Sequence, residues 1–142
     1  MKRILVCLDH SDRATFVFAK AKDLAERYPA RIVLLHVVVP SDGLTLPGVP
    51  LTPELEARVE EARRELQEAA NQLPAERIHA LVVEVGEPWR VICTTAGVYS
   101  VEMVVLGSHG PKGIEKLLGT TATKVAENAD RTVVILRPTP RE

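Results

Sequence analysis

The chain is poor in aromatic residues and cysteines, and it carries no excess of either charge. Phe, Trp and Tyr make up only 4% of its 142 residues, which disfavours a surface that stacks the bases of single-stranded nucleic acid. The formal net charge of −1 at pH 7 provides no basic field for phosphate backbones. No apolar run approaches the roughly 20 residues that cross a membrane. We therefore expect neither nucleic acid nor a membrane as a partner.

Only two cysteines are present, which excludes a disulfide framework and a cysteine-based zinc site. Cys7 and Cys93 each lie in an apolar segment, so we expect buried thiols in a reducing compartment. The N-terminal apolar run stops at Asp9, too soon for the apolar region of a secretory signal. These features predict a cytoplasmic protein, and the chain length predicts a single domain over residues 1–142.

Five short runs rich in Val, Ile and Leu alternate with helical patterns. The runs are mostly continuous rather than alternating, which is typical of strands covered on both faces. They are Arg3–Leu8, Arg31–Val39, Arg77–Val85, Met103–Leu106 and Thr132–Leu136. The strict alternation of strand and helix predicts right-handed crossovers. We therefore expect an α/β fold of three layers, with a five-stranded parallel sheet between two layers of helices.

The second of the four helical segments has the clearest pattern. Thr52 and Pro53 supply an N-cap and a proline in the first turn. Its apolar residues are spaced by four and three, as the core-facing side of a helix requires. These residues are Leu55, Val59, Ala62, Leu66, Ala69 and Leu73. We interpret the charged residues between them as a solvated face, supported by a pair between Glu60 and Arg64.

The other three helices have weaker start signals. Asp12 precedes the first, and Gly86-Glu87-Pro88 begins the third, where Trp89 is expected to be a packed or partly exposed aromatic residue. The apolar stripe of the fourth helix is predicted to comprise Leu118, Ala122, Val125 and Ala129. Two segments, 40–51 and 108–119, are rich in glycine or proline and are predicted to be loops.

Candidate ligand-binding residues lie at the carboxyl ends of the strands, where open parallel sheets bind ligands. Gly107 and Gly110 follow the fourth strand and allow a close approach of the backbone. Gly119 and Thr120 begin a helix, whose free N–H groups attract anions. This arrangement predicts a phosphate site. The alternative is an ordinary glycine-rich connection in which Thr120 only caps the helix. Asp9, at the end of the first strand, is expected to cap a helix or to bind a ligand amino group or a cation.

Signatures of catalysis are missing. The sequence contains no phosphate-binding G-x-x-x-x-G-K-[ST], no G-x-G-x-x-G and no G-x-S-x-G. Its four histidines show no metal-ligand spacing. We interpret His36 as a core residue of the second strand. His109 is interpreted as a solvent-exposed loop residue, and the alternative is a contact with phosphate.

Several segments together match one family. They are ILVCLDHS at 4–11, RIVLLHVV at 31–38, GEPWRVI at 86–92, VVLGSHG at 104–110, LLGTTATKV at 117–125 and TVVILRP at 132–138. By these segments the sequence resembles the universal stress proteins. ATP-binding members carry G-2x-G-9x-G-[ST], and here the long gap, 111–118, has eight residues, a version that also occurs in the family. All three glycines are retained, unlike in members that do not bind ATP.

The resemblance implies a fold like that of the adenine nucleotide alpha hydrolases, with strand order 3-2-1-4-5. It implies ATP as the ligand, with Mg²⁺ bridging phosphate oxygens. Adenine and ribose would be lined by Cys7, Leu8, Asp9, Val37 (through its backbone), Leu106 and Gly107. The phosphates would be held by Gly110, Gly119, Thr120 and Thr121. It also implies a homodimer formed through the fifth strand, Thr132–Leu136.

Three functions are compatible with this pattern. The first is a dimeric regulatory protein of the stress response that binds ATP. The second is a dimer that binds no nucleotide and acts through protein–protein contacts. The third is a slow ATPase, for which the sequence offers no convincing general base. Retention of the three glycines favours the first.

Overall fold

A computed structural model describes residues 2–9, 13–41, 49–109 and 118–137. Its five strands form one parallel sheet in the order β3-β2-β1-β4-β5, which confirms the predicted fold. The strands are β1 Arg3–Cys7, β2 Arg31–Val38, β3 Ile78–Val85, β4 Met103–Gly107 and β5 Thr132–Leu136. The helices are α1 Ala14–Arg27, α2 Pro53–Ala70, α3 Pro88–Val98 and α4 Thr120–Asn128, with a 3₁₀ turn at Ala75–Arg77.

Helices cover both faces of the sheet, and each strand directs alternate side chains to one face or the other. On one face, α1 and α2 cover residues such as Val6 and Leu34. On the other face, α3 and α4 cover residues such as Leu5 and Leu35. All four of these strand residues are completely buried. Helices on both faces explain why the strand runs are continuously apolar.

Two helix boundaries differ from the predictions. Leu73 was expected on the apolar stripe of the second helix, but α2 ends at Ala70. Leu118 was expected on the apolar stripe of the fourth helix, but α4 begins only at Thr120 and Leu118 is exposed. At α2, Thr52 caps as predicted, its Oγ1 accepting from the Leu55 N–H at 3.2 Å. Glu60 forms its ion pair with Arg63, three residues on, rather than with Arg64. The predicted start signal Asp12 lies outside the described residues.

Arginines at the amino ends of the strands tie the sheet to its connections. Arg77 belongs to the 3₁₀ turn rather than to the predicted strand, and its Nη1 donates to the carbonyl oxygens of Ala25 and Ala30 at 2.9 and 3.2 Å. Nη1 of Arg131 donates to Ala96 and Val101, both at 2.9 Å. Ala25 and Ala96 lie in the last turns of α1 and α3, whose carbonyls have no partner within the helix, and Ala30 and Val101 belong to the connections that follow.

In the described ranges, no helix combines the length and the apolar character that crossing a bilayer requires.

Candidate functional site

The candidate site lies at the carboxyl edge of the sheet, where the strand order reverses. From β1 the chain passes to β2 on one side, and the next neighbour on the other side is β4. The connections to α3 and α4 leave β3 and β4 at this edge, so both helices begin here, on the same face of the sheet. A crevice bounded by the ends of β1, β2 and β4 and by the first turns of α3 and α4 follows from this topology.

The floor of this crevice is apolar. Cys7, Val37 and Leu106 belong to the core on the α3–α4 face, and the first two are only half-buried. Burial, and secondarily Cys93, raises the pKa of the Cys7 thiol, so this group is uncharged at neutral pH. The floor therefore offers a surface for a flat apolar group and no charge. Both cysteines are half-buried rather than buried as expected.

Val37 contributes its backbone to the crevice. The carbonyl oxygen of Leu35 accepts from the Leu8 N–H at 2.9 Å, so Leu35 directs its backbone groups towards β1. Alternate residues of a strand direct these groups to the same side. Val37 therefore directs its N–H and C=O to that side too, beyond the last residue of β1. The next residue, Val38, directs its carbonyl to the opposite side, where it accepts from the Gly86 N–H after β3 at 3.1 Å.

Leu8 and Gly107 contribute differently, because both face away from the crevice. The Leu8 side chain packs with the core on the α1–α2 face, so it can line the crevice only through its backbone. A Cβ on Gly107 would lie 3.1 Å from Cγ2 of Val17 on α1. Close packing of α1 on β4 therefore accounts for glycine at this position without any ligand.

Asp9 is exposed and lies two residues past the end of β1, at the same edge. In this position its carboxylate is accessible to a ligand that enters the crevice from solvent.

The first turn of α4 forms the opposite wall. Gly119 is the N-cap residue, and having no side chain it provides no side-chain cap. Thr120 is therefore the first helical residue and not the cap, which excludes the capping role considered for it. The N–H groups of the first turn have no partner within the helix and give this end a partial positive charge. Thr120 is exposed and Thr121 half-buried, whereas Gly110 lies outside the described residues.

His109 is buried, contrary to the prediction that it is solvent-exposed. Its side chain is 6% exposed, and its Nδ1 lies 2.9 Å from Oγ of the fully buried Ser108. Backbone bonds explain the burial. The Ser108 N–H donates to the Leu136 carbonyl at 2.9 Å, and the Gly119 N–H donates to the Ser108 carbonyl at 2.7 Å. These bonds hold the residues after β4 between the end of β5 and the start of α4. His36 is buried, as predicted.

Trp89 and two cations connect the first turns of α3 and α4. The indole is half-buried against the core of the α3–α4 face, and its Nε1 is buried with no hydrogen-bond partner in the described part of the chain. Arg90 Cζ lies 4.7 Å and Lys124 Nζ 5.6 Å from the centroid of a Trp89 ring. Sequence reasoning missed Lys124, although its position four residues after Thr120 puts both on one helix face.

A separate pocket of about 380 Å³ lies at the other end of α3 and α4, near the amino edge of the sheet. Cys93, Gly97, Asn128 and Arg131 are among its lining residues. Burial and the neighbouring Asp130 raise the pKa of the Cys93 thiol, so the pocket offers no reactive thiolate. It does not contribute to the crevice.

Metal ligands are not clustered anywhere in the described ranges, where no three His, Cys, Asp or Glu side chains could hold a metal ion together.

Known proteins resemble this chain both in sequence and in fold. A family model described as "Universal stress protein family" matches residues 1–137. The chain belongs to the universal stress protein family. Universal stress protein A homolog 2 from Coxiella burnetii is 34% identical over 142 residues, which cover 96% of this chain and 94% of the relative.

Solved structures of universal stress proteins share this fold. UspA from Lactobacillus plantarum is 26% identical, with a TM-score of 0.72 over 96% of this chain and 97% of that one. A universal stress protein from Archaeoglobus fulgidus, solved in complex with dAMP, is 20% identical, with a TM-score of 0.68 over 96% of this chain and 98% of that one.

The contact between Gly107 and Val17 generates a prediction about stability. Replacing Gly107 by Ala should destabilise the protein by about 1–3 kcal/mol, because the new methyl group overpacks against α1. Val17→Ala should relieve part of this cost, giving a coupling energy of at least about 0.5 kcal/mol in a double-mutant cycle measured by chemical denaturation.

Gly97→Ala is the matched control. A Cβ there would meet only the end of the Arg131 side chain, at 3.9 Å. Since Gly97 lies within α3, the substitution should stabilise the protein by up to about 1 kcal/mol. Equal effects at Gly107 and Gly97 would contradict the packing explanation.

Proposed function

We propose that this universal stress protein binds ATP with Mg²⁺ in the carboxyl-edge crevice and acts as a nucleotide-responsive regulatory dimer. The observation that carries this proposal is the convergence of two kinds of backbone group on one crevice. Val37 directs its N–H and C=O past the end of β1, and the N-terminus of α4 faces the same crevice from the β4 side. The first pair suits the edge of a base, and the second suits phosphate.

The base end would use the apolar floor. A purine ring lies flat against Cys7 and Val37, which are half-buried and uncharged. The backbone of Val37 then acts as donor and acceptor for the purine edge. Asp9 accepts from an amino or hydroxyl group of the nucleoside at the mouth of the crevice. Leu8, Leu106 and Gly107 complete this end, the first and last of them through their backbones.

The phosphate end would use the start of α4. β2 and β4 are two strand spacings apart, about 10 Å. A nucleotide bound across the crevice would span this distance between its base and its phosphates. The backbone N–H groups of Thr120 and Thr121 donate to phosphate oxygens, whereas the Gly119 N–H is bonded to the Ser108 carbonyl. Gly119 contributes by having no side chain, which lets phosphate approach the backbone closely, and Gly110 completes the set from the other end of the connection. Mg²⁺ is then held by phosphate oxygens and water rather than by a protein cage.

Related structures support this assignment at the level of the fold. The dAMP complex from Archaeoglobus fulgidus has the same strand arrangement at low sequence identity, so its ligand supports adenine nucleotides as a class that this fold accommodates. Lys124, one turn into α4, adds a positive charge near the phosphate end.

Gly119→Val should lower the affinity for Mg-ATP tenfold or more, equivalent to at least about 1.4 kcal/mol. Gly119 has φ −65° and ψ 163°, a conformation open to valine, so the protein should still fold. The branched side chain then obstructs the close approach of phosphate to the backbone. Calorimetry gives the affinity, and the fluorescence of Trp89, the only tryptophan, gives an independent readout. Gly97→Ala, at the far edge of the sheet, should bind as wild type does. Unchanged affinity of folded Gly119→Val would refute the phosphate site.

Asp9→Ala should weaken ATP binding about tenfold while leaving the weak binding of inorganic triphosphate unchanged. The reason is that the Asp9 carboxylate contacts the nucleoside and not the phosphates. Competition titrations with both ligands measure the two effects separately. A parallel loss for both ligands would place Asp9 at the phosphate end and contradict this assignment.

Dimerisation would occur through β5. This strand pairs only with β4 in the sheet, and Val133, Val134, Ile135 and Leu136 are all partly exposed. An apolar edge strand left open is an aggregation hazard, which antiparallel pairing with a second copy removes.

Val134→Asp should shift the protein from dimer towards monomer in sedimentation velocity experiments, because it introduces a charge into the paired edge. Leu81→Asp is the matched control, since Leu81 is an exposed apolar residue of β3, the strand at the opposite edge. A monomeric wild-type protein at high concentration, or dissociation caused equally by both substitutions, would rule out this interface.

A further inference from the structure

The amino edge of the sheet, opposite the crevice, carries a second group of polar side chains. We name Arg3, Arg31, His79 and Tyr99 the amino-edge cluster. Arg3 and Arg31 are partners in the register of β1 and β2, so their Cα atoms are about 4.8 Å apart and their side chains leave the same face of the sheet. Tyr99, at the end of α3, contacts His79 of β3 edge-to-face, with 6.0 Å between ring centroids.

The hydrogen bonds of this cluster are incomplete. Nη1 of Arg3 donates to the Tyr99 carbonyl at 2.8 Å, and Nη2 of Arg31 donates to the Ile78 carbonyl at 3.0 Å. The Nε atoms of both arginines are buried and have no hydrogen-bond partner among the residues that the structure describes. The Nδ1 atom of His79 is in the same condition. The three nitrogens belong to one cluster, because Arg3 and Arg31 lie on paired strands and both of their charges act on His79. Buried polar groups without partners are rare in folded proteins, since each has lost its hydrogen bonds to water.

The charges of the cluster are also uncompensated. Among the described residues, no carboxylate forms an ion pair with Arg3 or Arg31. The nearby Glu102 instead pairs with Lys2, at 3.8 Å. Elsewhere at this edge the arrangement differs, since Arg131 is matched by Asp130 at 2.8 Å. Arg3 and Arg31 thus place two like charges on neighbouring strands, and neither charge is paired with a carboxylate of the described residues.

His79 responds to these charges. Its pKa lies below the ordinary value, because of partial desolvation and then because of the positive charges of Arg3 and Arg31. The imidazole is therefore neutral at pH 7. In that form it can donate one hydrogen bond without adding a third positive charge to the cluster.

We infer that the amino-edge cluster is a binding site for a phosphate group, carried by inorganic phosphate or by a phosphomonoester. Guanidinium groups offer paired, charge-assisted donors that match the geometry of phosphate oxygens. A phosphate dianion between Arg3 and Arg31 supplies the missing acceptors and counter-charge, and His79 donates from β3. This site is distinct from the nucleotide crevice, because β1 separates the two by about 13 Å from Arg3 to Cys7.

The experiment is a titration of the full chain with sodium phosphate, followed by NMR of the His79 ring and of backbone amides. Ionic strength is held constant with sodium chloride, so that the screening of charges does not change during the titration. If the site exists, the NMR signals of the His79 ring and of the Arg3 and Arg31 backbone amides should change in chemical shift and reach saturation as phosphate is added. It also predicts a rise in the His79 pKa on binding, since the dianion favours the imidazolium form.

Variants identify the groups responsible. Arg3→Gln and Arg31→Gln should each weaken phosphate binding tenfold or more, and each should raise the His79 pKa in the absence of phosphate. Arg77→Gln is the matched control, because Arg77 lies at the same edge but is bonded to carbonyls on α1 and on the α1–β2 connection. It should retain wild-type binding. Arg31→Lys keeps the charge and removes the paired donors, so it tests the site even if a glutamine variant fails to fold.

The outcomes separate this site from the crevice. Absence of a saturable shift at His79 overturns the inference, as does equal weakening by Arg77→Gln. Shifts confined to Thr120 and Thr121 would also overturn it, since phosphate would then bind at α4, and that result would leave the proposed function intact. A parallel titration with phenyl phosphate distinguishes the sources: tighter binding than that of inorganic phosphate indicates a phosphomonoester, and equal or weaker binding indicates the free ion.

Discussion

The position of β1 at the centre of the sheet is the constraint on which the rest of the structure depends. Leu5 and Val6 are completely buried, one under each helical layer, and parallel pairing on both sides fixes the strand between β2 and β4. Because β1 ends at Cys7 while β2 continues to Val38, a recess opens at the carboxyl edge. Backbone groups of β2 line this recess. The crevice is thus a consequence of unequal strand lengths around the central strand.

The two edges of the sheet are electrostatically unlike. At the carboxyl edge the positive ends of α3 and α4 face solvent, with Arg90 and Lys124 close by. At the amino edge the carbonyl ends of α1 and α3 are met by arginine side chains. Arginine here replaces the solvent that would otherwise satisfy those carbonyls. These guanidinium groups are therefore held at the amino edge by backbone carbonyls, and only Arg131 among them is also paired with a described carboxylate.

The fold was predictable because its signals are local. Continuous apolar runs and helical spacing depend only on neighbours in sequence. The observed strands agree with the predicted ones at six of their ten ends and differ by a single residue at the other four. The position of Asp9 at the carboxyl edge followed from the topology, whereas Cys7 and Val37 were expected there only from the resemblance to the family. The burial of His109 could not be predicted in this way, because it depends on bonds to Leu136 and Gly119 that are distant in sequence. The contact of Lys124 with Trp89 and the pairing of Arg3 with Arg31 depend likewise on tertiary packing.

The bond between the Gly119 N–H and the Ser108 carbonyl has a consequence for the evolution of this chain. This bond, 2.7 Å long, joins the residue after β4 to the N-cap residue of α4. The start of α4 is therefore positioned by this bond and not by the number of residues between Ser108 and Gly119. Changing a closed loop from nine residues to eight alters its closure entropy by only about 0.1 kcal/mol. Insertions and deletions in 110–117 can thus accumulate without displacing the helix that follows.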